Sequence, residues 1–278
     1  MTSYDSLISL ALTVSYRGRS PVLSNLFLQL RAGEILGLAG ASGSGKSTLA
    51  AALLRLIPQT SGATEGSIVF QGGDLLKLDA RKLREIRGQE IALVPQNAMT
   101  ALNPALCIGQ QLLAAWNAHA ASSYAEAHQR IMEALTASGL PDRELLRRHT
   151  TILSPDQLVR ILIAMALLHN PCLLIVDDLS STVDGVNQAE IFALLSKLNR
   201  ERNLSILYLS RDLLSLSACD RIAILHDGQV VECGATTQIL HHPVHPYTRR
   251  WVYSLPERPR LFPESSSRTS GSDTLSIH

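Results

Sequence analysis

Nine consecutive residues, Gly40-Ala41-Ser42-Gly43-Ser44-Gly45-Lys46-Ser47-Thr48, satisfy the pattern G-x-x-x-x-G-K-[ST] at every defined position. The chemistry this order serves is the grip of a nucleotide triphosphate. Glycines at 40, 43 and 45 let the backbone curl, so that successive N–H groups and a helix N-terminus face one anion. Lys46 is spaced to reach the β- and γ-phosphates, and the Ser47 hydroxyl to bind Mg²⁺. A plain Gly/Ser linker would need neither this order nor a strand before it and a helix after it. Both are present: Glu34 to Ala39 reads as a buried strand, and Thr48 to Leu56 as a helix stopped by Pro58.

Two further strands end in polar groups. Ile91 to Gln96 is apolar up to its glutamine, and Cys172 to Asp178 is apolar up to the carboxylates Asp177 and Asp178, which suits the central strand of a parallel sheet. Strands are also expected at Leu7 to Tyr16, Val22 to Leu30, Gly66 to Phe70 and Leu204 to Leu209. Arg221 to Leu225 and Gln229 to Glu232 read as a hairpin around Asp227-Gly228. Tyr16 is either an ordinary strand aromatic or a platform for an adenine ring. Helices are expected at Arg81 to Arg87, Ser123 to Ser138, Ser154 to about Leu168 and Val186 to Asn199, the second and third opened by serine caps.

The 278 residues are 46% hydrophobic with a formal net charge of +1, so the chain can bury a core and carries no global field for nucleic acid. Four widely spaced cysteines, at 107, 172, 219 and 233, read as buried thiols of a reducing compartment. Met1 to Asp5 lacks a signal-peptide pattern, and the apolar stretch Ile161 to Asp177 is broken by His169, Asn170 and Pro171. A cytosolic chain is expected, with any membrane role exercised through a partner. His241, His242 and His245 invite a metal reading, but a surface turn around Pro243 and Pro246 accounts for them better. From Pro256 to His278 the composition predicts a disordered tail.

Over roughly residues 4 to 255 the order of motifs resembles the ATP-binding subunits of ABC transporters. Tyr16, Gly40 to Thr48 and Gln96 match the adenine-stacking aromatic, the phosphate loop and the glutamine loop. Asp177 matches the magnesium-side aspartate, and Ser181-Thr182-Val183-Asp184 looks like the D-loop. Met99 to Pro104, with His245-Pro246-Tyr247-Thr248-Arg249, is similar to importers of oligopeptides, dipeptides and nickel. The resemblance implies an α/β fold of the P-loop NTPase (RecA-like) kind. Its mixed sheet would carry an N-terminal antiparallel β subdomain and an inserted helical subdomain at about residues 97–160, within one ATP-binding domain over 1–255. It also implies ATP and Mg²⁺ as cofactors, with Ser47, Gln96 and Asp177 around the metal. The implied partners are a second ATP-binding subunit, two membrane permease subunits and, indirectly, a solute-binding protein. The implied place is the cytoplasmic face of the inner membrane.

Three departures from that pattern bear on function. The signature Leu-Ser-Gly-Gly-Gln stands here as Leu153-Ser154-Pro155-Asp156-Gln157. Pro155 has no N–H, and Asp156 puts a carboxylate where the family expects a phosphate to approach. As a plain helix start the same residues are good, with Ser154 and Gln157 closing a capping box around Pro155. Asp178 replaces the glutamate that polarises water, one methylene shorter, and Arg211 replaces the switch histidine, which removes a proton relay. Two functions are open at this point: an importer ATPase with Asp178, Gln96 and Arg211 as its catalytic set, or a nucleotide-binding regulatory subunit whose catalysis resides in a partner. A soluble relative acting on DNA or ribosomes is disfavoured, because coiled coils and basic arms are missing from the sequence.

Overall fold

The computed structural model describes residues 6–179 and 185–255. Strands β1 (Ser6–Tyr16), β2 (Leu23–Arg31), β4 (Gly62–Phe70) and β5 (Gly73–Asp74) form one antiparallel sheet in the order β2-β1-β4-β5. The second sheet contains β3 (Ile35–Gly40), β6 (Ile91–Val94), β7 (Leu173–Asp177), β8 (Ser205–Ser210), β9 (Arg221–His226) and β10 (Gln229–Ala235), in the order β10-β9-β3-β8-β7-β6. Its pairs are parallel except β9 with β10, so the sheet is mixed. Helices α1 (Lys46–Leu53) and α2 (Ala80–Ile86) lie between β3 and β6. Helices α3 (Ala98–Ala101), α4 (Ile108–Asn117), α5 (Tyr124–Ala137) and α6 (Pro155–Leu167) fall between β6 and β7. Helix α7 (Gly185–Arg202) precedes β8, while α8 (Thr236–His241) and α9 (Pro246–Tyr253) follow β10.

Strand parity explains why the sheet reads as unbroken apolar runs. In β7, Leu173 and Ile175 join a core with α1 and the antiparallel sheet, while Leu174 and Val176 face α6 and the helices beyond. A strand covered on both faces has no polar side to alternate with. That burial, and not a central position, makes β7 apolar: it lies between β8 and edge strand β6, and the middle of the sheet is β3 and β8.

Local chemistry sets most boundaries. Ser123 accepts from the N–H of Glu126 to open α5, and Gly139 follows that helix at φ +83°. Helix α1 spans Lys46–Leu53, an earlier start and end than the expected Thr48 to Leu56. The Arg87 guanidinium, donating to the carbonyls of Leu54 and Arg55 at 2.6 and 2.7 Å, satisfies the end of the helix, and Arg55 turns to φ +47° before Pro58 is reached. Strand β4 is longer than expected because Gly62 to Glu65 pair with the end of β1. The cysteines also differ from expectation: Cys219 is buried, Cys107 and Cys172 are half-buried, and Cys233 is exposed. Cys233 sits in the outermost strand β10, where its sulfur accepts from Arg221 at 3.0 Å. The expected D-loop residues 181–184 and the tail from Pro256 lie outside the described residues.

Candidate functional site

Strand β3 carries the chain through the sheet interior, and every one of its residues is buried. It ends at Gly40, where a Cβ would run into the Ser44 hydroxyl. The loop then closes on Gly45, the N-cap of α1 at φ +106°, where a Cβ would stand 2.6 Å from Leu23 Cδ2. No side chain caps α1. The first N–H groups of a helix have no intrahelical partner, so those of Lys46, Ser47 and Thr48 form a ready seat for an anion.

Lys46 is folded back into this seat. Its Nζ donates to the carbonyls of Gly40 at 2.7 Å and Ala41 at 2.9 Å. Burial holds the ammonium below the usual lysine range, while Asp178 and Asp177 pull the other way. Asp177, at the end of β7, takes a hydrogen bond from the Ser47 hydroxyl, and burial pushes its carboxyl above the usual carboxylate range. Its Oδ1 is buried and has no hydrogen-bond partner in the structure. A buried carboxylate oxygen left unpaired beside a serine hydroxyl is the donor set of a hard divalent cation, so these residues fit Mg²⁺.

Asp178 is 5% exposed and sits at φ +25°, its N–H donating to Leu209 O at 2.9 Å. A non-glycine residue in that region is strained, which is common where a functional side chain must be aimed. Arg211, just after β8, brings its Nε to 3.6 Å from Asp178 Oδ2. Gln96, two residues past β6, lines the same cavity of about 190 Å³ as Ser42, Gly43, Gly45, Lys46, Ser47, Thr48, Asp177, Asp178 and Arg211. Tyr16, at the end of β1, has its hydroxyl 3.4 Å from Thr48 Oγ1, which puts its ring at the α1 end of the loop.

Residues 23–181, more than half of the chain, match the family described as ABC transporter. The chain belongs to the ABC transporter family. It is 35% identical over 241 residues to a probable peptide ABC transporter ATP-binding protein of Sinorhizobium fredii, covering 86% of this chain and 72% of that protein. The oligopeptide transport ATP-binding protein OppD of Salmonella typhimurium is 36% identical over 241 residues, with the same two shares. A probable D,D-dipeptide transport ATP-binding protein of Escherichia coli is 35% identical over 245 residues, covering 87% of this chain and 75% of that one. Among solved structures, a dimeric post-hydrolysis ATP-binding cassette bound to ADP and Pi superposes with a TM-score of 0.72 at 26% identity, over 82% of this chain and 98% of that one.

In this ABC transporter chain the expected signature residues Ser154 and Gln157 open α6 and are not among the residues that line the cavity. They close the expected capping box, Ser154 Oγ accepting from Gln157 N at 3.2 Å and Gln157 Oε1 accepting from Ser154 N at 3.0 Å. The Asp156 carboxylate is engaged sideways, by Arg160 at 2.9 Å, and Arg160 also reaches Glu190 of α7 at 3.2 Å. The sequence reading missed that partner, although the i, i+4 spacing of Asp156 and Arg160 was a signal for it. It also missed a group of rings beside the loop. His226 and Tyr247 stack at 3.7 Å, and Trp251 meets Tyr247 edge-on at 5.9 Å. Among the described residues no cluster of three His, Cys, Asp or Glu forms a metal site, His241, His242 and His245 included. Nor is any described helix long and apolar enough to cross a membrane.

Proposed function

We propose that this chain is the ATP-binding subunit of a peptide importer, taking Mg·ATP into the cavity between the α1 N-terminus and the Asp177-Asp178 pair. The observation that carries the reading is the uncapped, glycine-built start of α1 facing a buried carboxylate with an unpartnered oxygen. In that seat the loop N–H groups and Lys46 hold the β- and γ-phosphates, and Tyr16 offers its ring to the adenine. Ser47, Gln96 and Asp177 would hold Mg²⁺, which neutralises phosphate charge when bound. The relatives named as peptide and dipeptide transport proteins support the cargo class. Partners follow from the same reading: two permease subunits, a solute-binding protein acting through them, and attachment at the cytoplasmic membrane face.

The pairing of Arg211 with Asp178 favours a second reading of the chemistry, in which this chain binds ATP well and cuts it slowly. A guanidinium holds the γ-phosphate side but relays no proton, and an aspartate reaches less far toward a water than a glutamate. Because each site in the family joins one subunit's phosphate loop to another's signature, this chain works best beside a second ATP-binding subunit with a regular signature and glutamate. Equilibrium titration of the purified chain with a labelled adenine nucleotide and Mg²⁺ tests the first reading; absence of saturable binding with the companion subunits present overturns it. Turnover by the isolated chain that Asp178→Asn abolishes would overturn the second.

A further inference from the structure

A cleft of about 670 Å³ opens beside the phosphate loop, walled by Ser42, Arg211, His226, Tyr247, Arg250 and Trp251. It adjoins the nucleotide cavity, with which it shares two lining residues, Ser42 and Arg211. Tyr16 marks the Thr48 end of the loop, whereas this cleft adjoins its Ser42 end. The adenine platform and the cleft are therefore at opposite ends of one loop.

We infer that this cleft is a second ligand site, which takes a planar aromatic anion. Its rings are pre-set: the His226–Tyr247 stack has an interplanar angle of 12°, and Tyr247, Arg250 and Trp251 share one face of α9 through their i, i+3 and i, i+4 spacing. His245 caps that helix, accepting from Tyr247 N at 3.2 Å, and the Glu232 carboxylate holds the segment through the N–H groups of Val244 and His245. Among the described residues two guanidiniums line the cleft and no carboxylate does, and the Arg211 guanidinium also lies 3.6 Å from Asp178. Arg250 is exposed and has no carboxylate within 4 Å among the described residues. Asp227 meets His226 Nε2 at 3.5 Å, but it is 89% exposed and does not line the cleft. An apolar ligand would leave Arg250 unused, and an aliphatic anion would leave the flat rings unused. An aromatic ring stacked on Tyr247 and edge-on to Trp251, with its phosphate or carboxylate on Arg250, uses both. The volume falls in the range of small-molecule sites.

The test is calorimetric titration of the full chain with 2-naphthyl phosphate, beside cyclohexyl phosphate, in the wild type and in the Lys46→Ala, Arg250→Ala and Trp251→Leu variants, each checked for fold by circular dichroism. The expected result is saturable binding of the naphthyl compound that survives Lys46→Ala within about twofold and weakens about tenfold or more in Arg250→Ala, the loss of one charged hydrogen-bonding partner. Trp251→Leu should weaken it too, and cyclohexyl phosphate should bind at least about tenfold less well. The inference is overturned by absence of saturable binding, by equal binding of the two phosphates, by loss of binding in Lys46→Ala with retention in Arg250→Ala, or by a cleft closed to the probe once a companion ATP-binding subunit is added. ATP titration in parallel separates this from the nucleotide reading, because Arg250→Ala leaves ATP binding unchanged.

Discussion

The Nε of Arg211 lies 3.6 Å from Oδ2 of Asp178, so a guanidinium faces the buried carboxylate that follows strand β7. The carboxylate is buried, its side chain 7% exposed, whereas the guanidinium is 46% exposed and reaches inward from the end of β8. On the proposed reading, in which both residues depart from the family pattern, the pair acts as one unit.

Restoring both positions together, with Asp178→Glu and Arg211→His, should raise ATP turnover of the reconstituted complex by about tenfold or more, since a misplacement of about 1 Å costs on the order of 100-fold. Each single change should gain less than the pair, because each leaves one mismatched partner. Steady-state phosphate release measures this, and an unchanged rate in the double variant would show that these residues do not limit hydrolysis.

Lys46→Ala should weaken Mg·ATP binding by about 10- to 100-fold, the worth of a charged hydrogen bond of roughly 1.5–3 kcal/mol. The side chain is already folded against the carbonyls of Gly40 and Ala41 and lines the cavity. Equilibrium titration reads the loss; wild-type affinity in the variant contradicts the assignment.

Ser154→Ala should lower stability by about 1 kcal/mol, the usual cost of losing an N-cap, and the melting temperature by roughly 2–4 °C. Its Oγ accepts from Gln157 N, and the reciprocal bond from Gln157 loses its partner geometry with it. Differential scanning calorimetry decides, and a melting point unmoved within 0.5 °C or so would mean the box carries no weight.

Acid should destabilise the chain through His169. Burial lowers its pKa below the ordinary value of about 6.5, with the neighbouring His119 and Arg130 adding to the effect, while its Nε2–H donates to Ala115 O at 3.3 Å. Trp116 stacks on the ring at 4.8 Å, and Arg130 lies over Trp116. Between the folded and ordinary pKa values the unfolded chain binds more protons, so stability falls as pH drops through about 6.5 and keeps falling until the folded group is itself protonated. His169→Phe should flatten the melting-temperature profile between about pH 7.5 and 5.5; a profile parallel to the wild type would exclude His169 as its source.

Some features were legible from the chain because their physics is local. The Gly40 to Thr48 loop, the Ser154-Gln157 box and the Asp227-Gly228 turn each rest on backbone conformations and hydrogen bonds that close within a few residues. Asp227 and Gly228 adopt φ +47° and +74°, as such a turn requires. Features that depend on distant partners were not legible. The end of α1 is set by Arg87, more than 30 residues away from Leu54 and Arg55, and the exposure of Cys233 follows from β10 falling at a sheet edge.

The sequence by itself determined where the glycine-rich loop turns into α1 and which strands are covered on both faces, because glycine freedom, capping and apolar runs are properties of neighbouring residues. Only the tertiary structure decided that Arg211 meets Asp178, that Arg160 reaches Glu190 of α7, and that α9 lays its rings beside Ser42. Those contacts join side chains from strands and helices that are far apart in the chain, and the order of strands in the sheet sets which of them come within reach.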